Sequence, residues 1–380
     1  MQQLLIVSHV LPLPGISGQR QRVASIAKVL SETFAVDLLW VGPPLDTSTK
    51  HALQKTFRKI LWVRPRVSLI TRIWGHVRSR ISKVRPSVFQ LPAWVESSFP
   101  ADAPLWRQYE LILFEYVHYA PVSARLRQQG IRTACDLHNV LWWAHPPYRS
   151  YEEAAYEQFD LLIAINREEY HYLCRLGYPT LYCPMSIDVS THPYVWHLSL
   201  NPPRFFYYGS LTSERNRKHI RFLRKVIIHL RSESTDAELH LAGEGTHSAS
   251  TPHEGIISHG HVDNPTSLLS RMTLALLPWE GRYGFRSRAL ELAAGGVPIA
   301  ASDDAFAGTD FIASHHYLSM PPPYDPRQWA NALMNTLQNP QHLTRISHAA
   351  RRLIIQQYSP QTVYSSFINA LHRWMNASNR

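Results

Sequence analysis

Residues 274–302, LALLPWEGRYGFRSRALELAAGGVPIAAS, combine arginines, a glutamate and paired glycines in one strand–loop–helix–strand pattern. Leu274 to Leu277 reads as a buried strand, Gly281 to Phe285 as a loop, about Arg286 to Ala294 as a helix, and Val297 to Ala301 as a second strand. A helix N-terminus offers unpaired N–H groups and the positive end of a dipole, so it attracts anions. Arg286 and Arg288 on the first turn add two cations, and the chemistry this suits is phosphate binding. Glu291 lies more than a turn deeper and is placed to accept hydrogen bonds from hydroxyls, as carboxylates do from ribose. A simpler alternative pairs an arginine with Glu291 on a solvated face. Ala289, Leu290, Leu292 and Ala293 argue against it, because they make the helix apolar on both sides.

The run G-F-R-S-R-A-L-E-L-A-A-G-G-V-P-I-A-A-S resembles the nucleotide-sugar-binding signature of GT-B glycosyltransferases, in particular the retaining family-four group. Gly284, Arg288, Glu291, Ala294, Gly296 and Pro298 carry the match. The resemblance implies two Rossmann-like doubly wound α/β domains facing a cleft, with Phe285 and Arg286 beside the donor. One position departs from the pattern: Tyr283 stands where the family commonly has a second glutamate. Either Glu280 substitutes for it or the chemistry at the sugar differs.

A chain of 380 residues with 45% apolar content accommodates two domains. Its net charge of +11 implies an anionic partner: a phosphorylated substrate, an anionic membrane or nucleic acid. Cys135, Cys174 and Cys183 form no C-x-x-C pair, which suits a reducing compartment. The opening MQQLLIVSHVLPLPG lacks a basic stretch and reads as a core strand rather than a leader. No apolar run approaches the roughly 20 residues of a membrane span.

The chain opens β-α-β: Leu4 to Val10, a helix from about Gln19, then Ala35 to Val41. The intervening loop is not G-x-G-x-x-G, which argues against a nicotinamide enzyme. It resembles the family's first loop, and the resemblance assigns Gly18, Gln19, Arg20 and Arg22 to the acceptor and donor phosphates. Tyr109 to Tyr116 and Thr133 to His138 read as further strands. Their C-terminal ends carry Glu115, His118, Asp136, His138 and Asn139 toward the edge where open α/β sheets bind ligands. D-L-H-N-V resembles a family segment near the acceptor, and it makes Asp136 and His138 candidates for acid–base or orienting roles.

Residues 50–95 contain eleven Lys or Arg and neither Asp nor Glu. Ile70, Ile73, Trp74, Val77 and Ile81 share a helical face, with Arg72, His76, Arg78, Arg80 and Lys83 off it. This pattern predicts an interfacial helix on an anionic leaflet. Nucleic acid could use the same charge, but no nucleic-acid module accompanies it.

Low charge and three prolines mark 191–204 as a linker between a 1–190 acceptor domain and a 205–358 donor domain. A helix over 359–380 is expected to return to the first domain. Within the donor domain the resemblance assigns Gly209 and Ser210, Arg215 and Lys218, the Gly243 turn, and Val262 near the base. His253, His259 and His261 match no zinc spacing, and no D-x-D occurs, so no metal or other cofactor is expected. These readings lead to a metal-independent glycosyltransferase. It would move sugar from a nucleotide-diphosphate sugar to a glycan or lipid-linked acceptor in polysaccharide biosynthesis, cytoplasmic and peripheral to the inner face of the plasma membrane. An inactive sugar-nucleotide-binding or scaffold protein and an epimerase are the alternatives.

Overall fold

The computed structural model describes residues 1–13, 17–64, 69–233, 236–262 and 265–377; the side chains of 69–72, 74 and 75 are outside the description. The expectations for Ile70, Arg72 and Trp74 therefore fall outside the described side chains. Two compact units divide the chain: Met1–Met185 with Tyr283–Phe285 and Tyr364–Arg380, and Ser186–Arg282 with Arg286–Val363.

Unit 1 begins β1 (Gln3–Ser8), α1 (Gly18–Ser31), β2 (Ala35–Val41), α2 (Thr47–Leu53), β3 (Ile60–Val63), α3 (Leu69–Ser82) and α4 (Ser87–Ser98). It continues β4 (Leu111–Glu115), α5 (Ala120–Arg127), β5 (Thr133–Asp136), α6 (Leu141–Ala144), α7 (Arg149–Tyr156), β6 (Leu161–Ala164), α8 (Arg167–Arg175) and β7 (Thr180–Tyr182). The strands form one sheet in the order β3-β2-β1-β4-β5-β6-β7, and every pair is parallel. Parallel strands covered on both faces are apolar almost throughout, which is why Leu4 to Val7 and Leu111 to Phe114 are all buried. The Ser17 side chain caps α1 and that of Asn166 caps α8, each taking up a free N–H at a helix start.

Unit 2 contains β8 (Arg204–Tyr208), α9 (Glu214–Ser232), β9 (Glu238–Ala242), β10 (Ile256–Gly260), α10 (Thr266–Leu269), β11 (Leu274–Leu277), α11 (Ser287–Ala294), β12 (Ile299–Ser302) and β13 (Leu318–Met320). Helices α12 (Pro326–Leu337) and α13 (Pro340–Gln357) follow, and α14 (Pro360–Ala377) begins here and ends in unit 1. The sheet order is β10-β9-β8-β11-β12-β13, also all parallel. On α9, Leu223, Val226, Ile227 and Leu230 recur at helical spacing and are buried.

In both sheets the winding reverses once, between β1 and β4 and between β8 and β11. Connections depart in opposite directions from such a point and leave a crevice at the carboxyl ends of the strands, where ligands bind in this architecture.

One segment differs from the expectation, and the terminal helix lies with the unit expected for it. Residues 191–204 are not a bare tether but part of unit 2. Trp196 is buried with its indole N–H donating to the Met272 carbonyl at 3.0 Å, and the Val195 N–H donates to Gly295 O at 3.1 Å. Low charge and prolines signal an irregular backbone, and they do not say whether that backbone is packed. Residues 364–380 group with unit 1, where Arg132 Nη1 donates to Met375 O at 2.8 Å and His372 stacks on Phe34 at 5.2 Å.

Truncating Trp196 to alanine removes the anchor of this segment, a loss of about 3–5 kcal/mol for a buried tryptophan. Limited proteolysis of Trp196→Ala is expected to cut within 191–204 well before the wild type is cut. Equal cleavage rates would mean that the segment behaves as a free linker.

Candidate functional site

Each unit gathers polar residues at its switch point, and the two collections differ in charge. In unit 1 the ends of β1, β4 and β5 bring His9, Glu115, Tyr116, Asp136 and His138 together. Asp136 is fully buried and holds Arg22, itself 2% exposed, through both carboxylate oxygens: Nε to Oδ2 at 2.6 Å and Nη2 to Oδ1 at 2.5 Å. The remaining Arg22 Nη1 donates to Cys183 O at 2.8 Å, so one guanidinium joins α1, β5 and the segment after β7. Burial works against the arginine's charge, but Asp136 outweighs it and the Arg22 pKa is raised.

Glu115 Oε2 lies 2.6 Å from His138 Nε2, and Asp136 Oδ2 lies 3.7 Å from the same nitrogen. Burial, reinforced by the Asp136 charge, raises the Glu115 pKa against the opposing pull of His138. The His138 ring stacks on Tyr116 with centroids 4.2 Å apart and planes 7° from parallel; His118 stacks on Tyr116 at 5.7 Å. Tyr116 and His138 both have positive φ, +74° and +59°. Non-glycine residues adopt this region at a cost and are held there by their surroundings. Here the restraint includes bonds from Tyr116 N–H to Asp136 O at 2.9 Å and from Leu137 N–H to Ile163 O at 3.1 Å. Burial pushes the His9 pKa down to about 3 and that of His118 down to about 4, so both are neutral at neutral pH.

Ligand atoms of Glu115, Asp136 and His138 lie within 4.8 Å of one another, a set that could hold a metal ion. Arg22 already bonds both Asp136 oxygens, however, and balances the charge of that carboxylate. Gln19 donates from Nε2 to the Tyr116 hydroxyl, Gly18 opens α1, and Arg20 is exposed.

In unit 2 the crevice is cationic. The C-terminal end of β8 delivers Gly209 and Ser210, and β9 delivers Gly243. A Cβ on Gly243, at φ +137°, would meet the Gly209 carbonyl carbon at 2.5 Å, and one on Gly209 would meet Arg288 Nη1 at 2.6 Å. Only glycine permits this close packing of two turns. Arg288, on the first turn of α11, donates to Tyr208 O and lies 3.4 Å from the Tyr207 hydroxyl. Arg286 precedes Ser287 as the N-cap residue, rather than standing inside the helix, and its guanidinium carbon is 3.4 Å from the Trp279 ring centre. Arg215 approaches the same ring at 4.5 Å.

Arg215, Arg286 and Arg288 therefore converge on the start of α11. Their combined effect is felt by His219, whose pKa is lowered to about 3 by burial and then by these three charges. Its neutral ring is left to bond the Tyr207 hydroxyl at 3.1 Å.

Other expected residues are placed differently. Lys218 sits on the exposed side of α9, 3.9 Å from Glu214. Glu280 is exposed, Val262 and Glu291 are half-buried, and Phe285 groups with unit 1. Gly284 bonds within unit 1: its N–H donates to Glu169 Oε1 at 2.6 Å and its carbonyl accepts from Asn166 Nδ2 at 2.9 Å. His259 pairs with His240, Nε2 to Nδ1 at 2.9 Å. Trp279, His219 and Asn216 were not foreseen. Trp279 adjoins the recognised motif, but a tryptophan after a buried strand reads as core.

The family Glycosyl transferases group 1 matches residues 202–339. No curated protein matches the sequence. Among solved structures, sucrose-phosphate synthase from Thermosynechococcus elongatus is similar over 100% of both chains, at 17% identity and TM-score 0.69. Anabaena HepE in complex with UDP and glucose is similar over 98% of this chain and 100% of its own, at 14% identity and TM-score 0.69. A TarM variant from S. aureus, in complex with Fondaparinux, alpha-GlcNAc-glycerol and UDP, is similar over 97% and 99%, at 9% identity and TM-score 0.67. The fold is that of the GT-B glycosyltransferases, and the second unit carries the group 1 sequence pattern.

Removing one partner of a buried ion pair leaves the other uncompensated, at about 3–5 kcal/mol. Arg22→Met is expected to lower the denaturation midpoint of unit 1 accordingly, and Arg22→Met with Asp136→Leu to recover a large part of the loss. A double variant as unstable as the sum of the two singles would show that the pair is not coupled.

Proposed function

We propose that the protein transfers a sugar from a uridine diphosphate sugar to a hydroxyl of a glycan or lipid-linked acceptor, without a divalent metal, in polysaccharide biosynthesis. The observation that carries this reading is the convergence of Arg215, Arg286 and Arg288 at the switch point of unit 2. Three guanidiniums and a helix N-terminus meet the charge of a leaving diphosphate, as oriented cations and dipoles do in other phosphate sites. Glu291 on the same helix is assigned the ribose hydroxyls, and Gly209, Ser210 and Gly243 the close approach to the nucleotide. The UDP held by HepE and by TarM supports the choice of base, and the glycan ligands of TarM support a glycan acceptor. Glu280 is retained as a candidate carboxylate near the sugar.

Residues 50–95 fit an anionic leaflet. On α3, Ile73, Val77 and Ile81 are 56%, 41% and 78% exposed, one turn apart, and His76, Arg78, Arg80 and Lys83 are exposed beside them. Among the described residues no helix is long and apolar enough to cross a membrane, so attachment would be peripheral, at the cytoplasmic face of the plasma membrane. Each basic residue contributes about 1 kcal/mol near such a surface, and the isoleucines add insertion energy.

UDP is expected to raise the melting temperature in the presence of EDTA as much as with magnesium. A ligand at a hundred times its dissociation constant stabilises by about 2.7 kcal/mol. Arg288→Ala should abolish the shift, and no shift with any nucleoside diphosphate would sink the donor assignment. In co-sedimentation with phosphatidylglycerol vesicles, Arg78→Glu with Arg80→Glu and Lys83→Glu is expected to release the protein while leaving the UDP shift intact. Undiminished pelleting would remove the membrane from the reading.

A further inference from the structure

Unit 1 carries a second concavity, at the edge of its sheet opposite the switch point. A cavity of about 640 Å³ opens there, within the range of about 300–1,000 Å³ usual for small-molecule sites. It lies at the amino ends of the strands: Arg132 directly precedes β5, Phe159 and Asp160 precede β6, and Pro179 precedes β7. Glu115, Asp136 and His138 stand at the carboxyl ends, so the four residues of β5, at about 3.3 Å each, separate the two places. Helix α14 contributes Trp374 to the lining and is fastened there by Arg132, whose Nη1 donates to Met375 O at 2.8 Å.

The charged lining is held in place by the protein's own bonds. Asp160 Oδ1 accepts from Arg127 Nε at 2.6 Å and Oδ2 from the Thr133 N–H at 2.9 Å, while Arg127 Nη1 donates to Glu157 O at 2.6 Å. Arg127 Nη2 and the Glu157 carboxylate make no hydrogen bond to the described residues, which leaves a donor and an acceptor at the rim.

The balance of charge indicates the class of ligand. Arg127 and Arg132 are matched by Glu157 and Asp160, so the lining is formally neutral and gives neither an anion nor a cation a net pull. It offers donors and acceptors side by side, together with the rings of Phe159, Tyr178 and Trp374. Phe159 is buried; Tyr178 and Trp374 are half-buried, and Tyr178 is braced edge-on against Tyr156 at 5.6 Å. A sugar hydroxyl both donates and accepts, and the C–H faces of a pyranose ring are apolar, so a sugar uses all of these features at once. A purely apolar ligand would cover the charged groups without bonding them, and a phosphate would face two carboxylates.

We propose that this cavity is a non-catalytic binding site for a neutral oligosaccharide, with pyranose faces on Trp374 and Tyr178 and hydroxyls between Arg127 and Glu157. The site belongs to unit 1 alone, and the assignment stands whether or not the proposed transfer does. In a protein that elongates a glycan, it would hold a stretch of chain that is not reacting.

The test uses the whole protein labelled with 5-fluorotryptophan, the Trp374 resonance being the one missing from Trp374→Phe. Trisaccharides of glucose, galactose, mannose or N-acetylglucosamine are titrated in turn, with inorganic phosphate as the anionic probe. At least one trisaccharide is expected to shift the Trp374 resonance saturably, and phosphate to leave it unmoved. Trp374→Ala and, at an exposed side chain, Glu157→Ala are each expected to weaken that binding about tenfold or more by calorimetry, while the melting temperature of unliganded Glu157→Ala stays that of the wild type. No saturable shift with any trisaccharide, or one produced by phosphate, would overturn the proposal. Binding that survives both substitutions and is lost in His138→Ala would put the sugar at the switch point and overturn it equally.

Discussion

The buried pair between Arg22 and Asp136 is the constraint on which the first unit depends. An arginine 2% exposed survives only because both oxygens of one carboxylate and a backbone carbonyl receive its donors. In return it ties the first helix to the fifth strand and to the chain leaving the seventh. The charge of Asp136 is thereby spent on structure. Glu115 is the carboxylate nearer His138, at 2.6 Å against 3.7 Å for Asp136, although the two are neighbours on adjacent strands and paired in register.

The fold was legible because its local signals agree. Short, continuously apolar strands alternate with amphipathic helices, and that pattern leaves a parallel sheet as the economical answer. The motif over 284–302 was legible for the same reason: strand, glycine turn and helix start lie within one local stretch, so spacing alone brings Arg288 to the anion-binding end. The exact first turn was less so. Arg286 caps the helix with a non-helical backbone, φ −97° and ψ 79°, and no propensity distinguishes an arginine there from one a residue later.

What sequence left open depended on distant partners. Arg22, Arg20 and Lys218 are alike as cations near glycine or polar loops. One is buried against a residue 114 positions away, and the other two are exposed. Glu115 and His138 meet across 23 residues because β4 and β5 are neighbours, and the strained backbone at Tyr116 and His138 has no compositional marker. Trp196 shows the reverse error: a stretch with loop composition is anchored by one large side chain. Burial of a single aromatic or ion pair is a tertiary decision, which local periodicity does not encode.

The same topological device appears twice with different electrostatic content, and the proposed transfer accounts for the asymmetry. In the proposed reaction a departing diphosphate would need fixed positive charge, which α11, Arg215, Arg286 and Arg288 would supply, while the neutral His219 adds none of its own. An attacking hydroxyl needs a group that welcomes a proton, and positive charge nearby would oppose that. In unit 1 the buried cation Arg22 is neutralised by Asp136, and His9 and His118 are kept uncharged by burial.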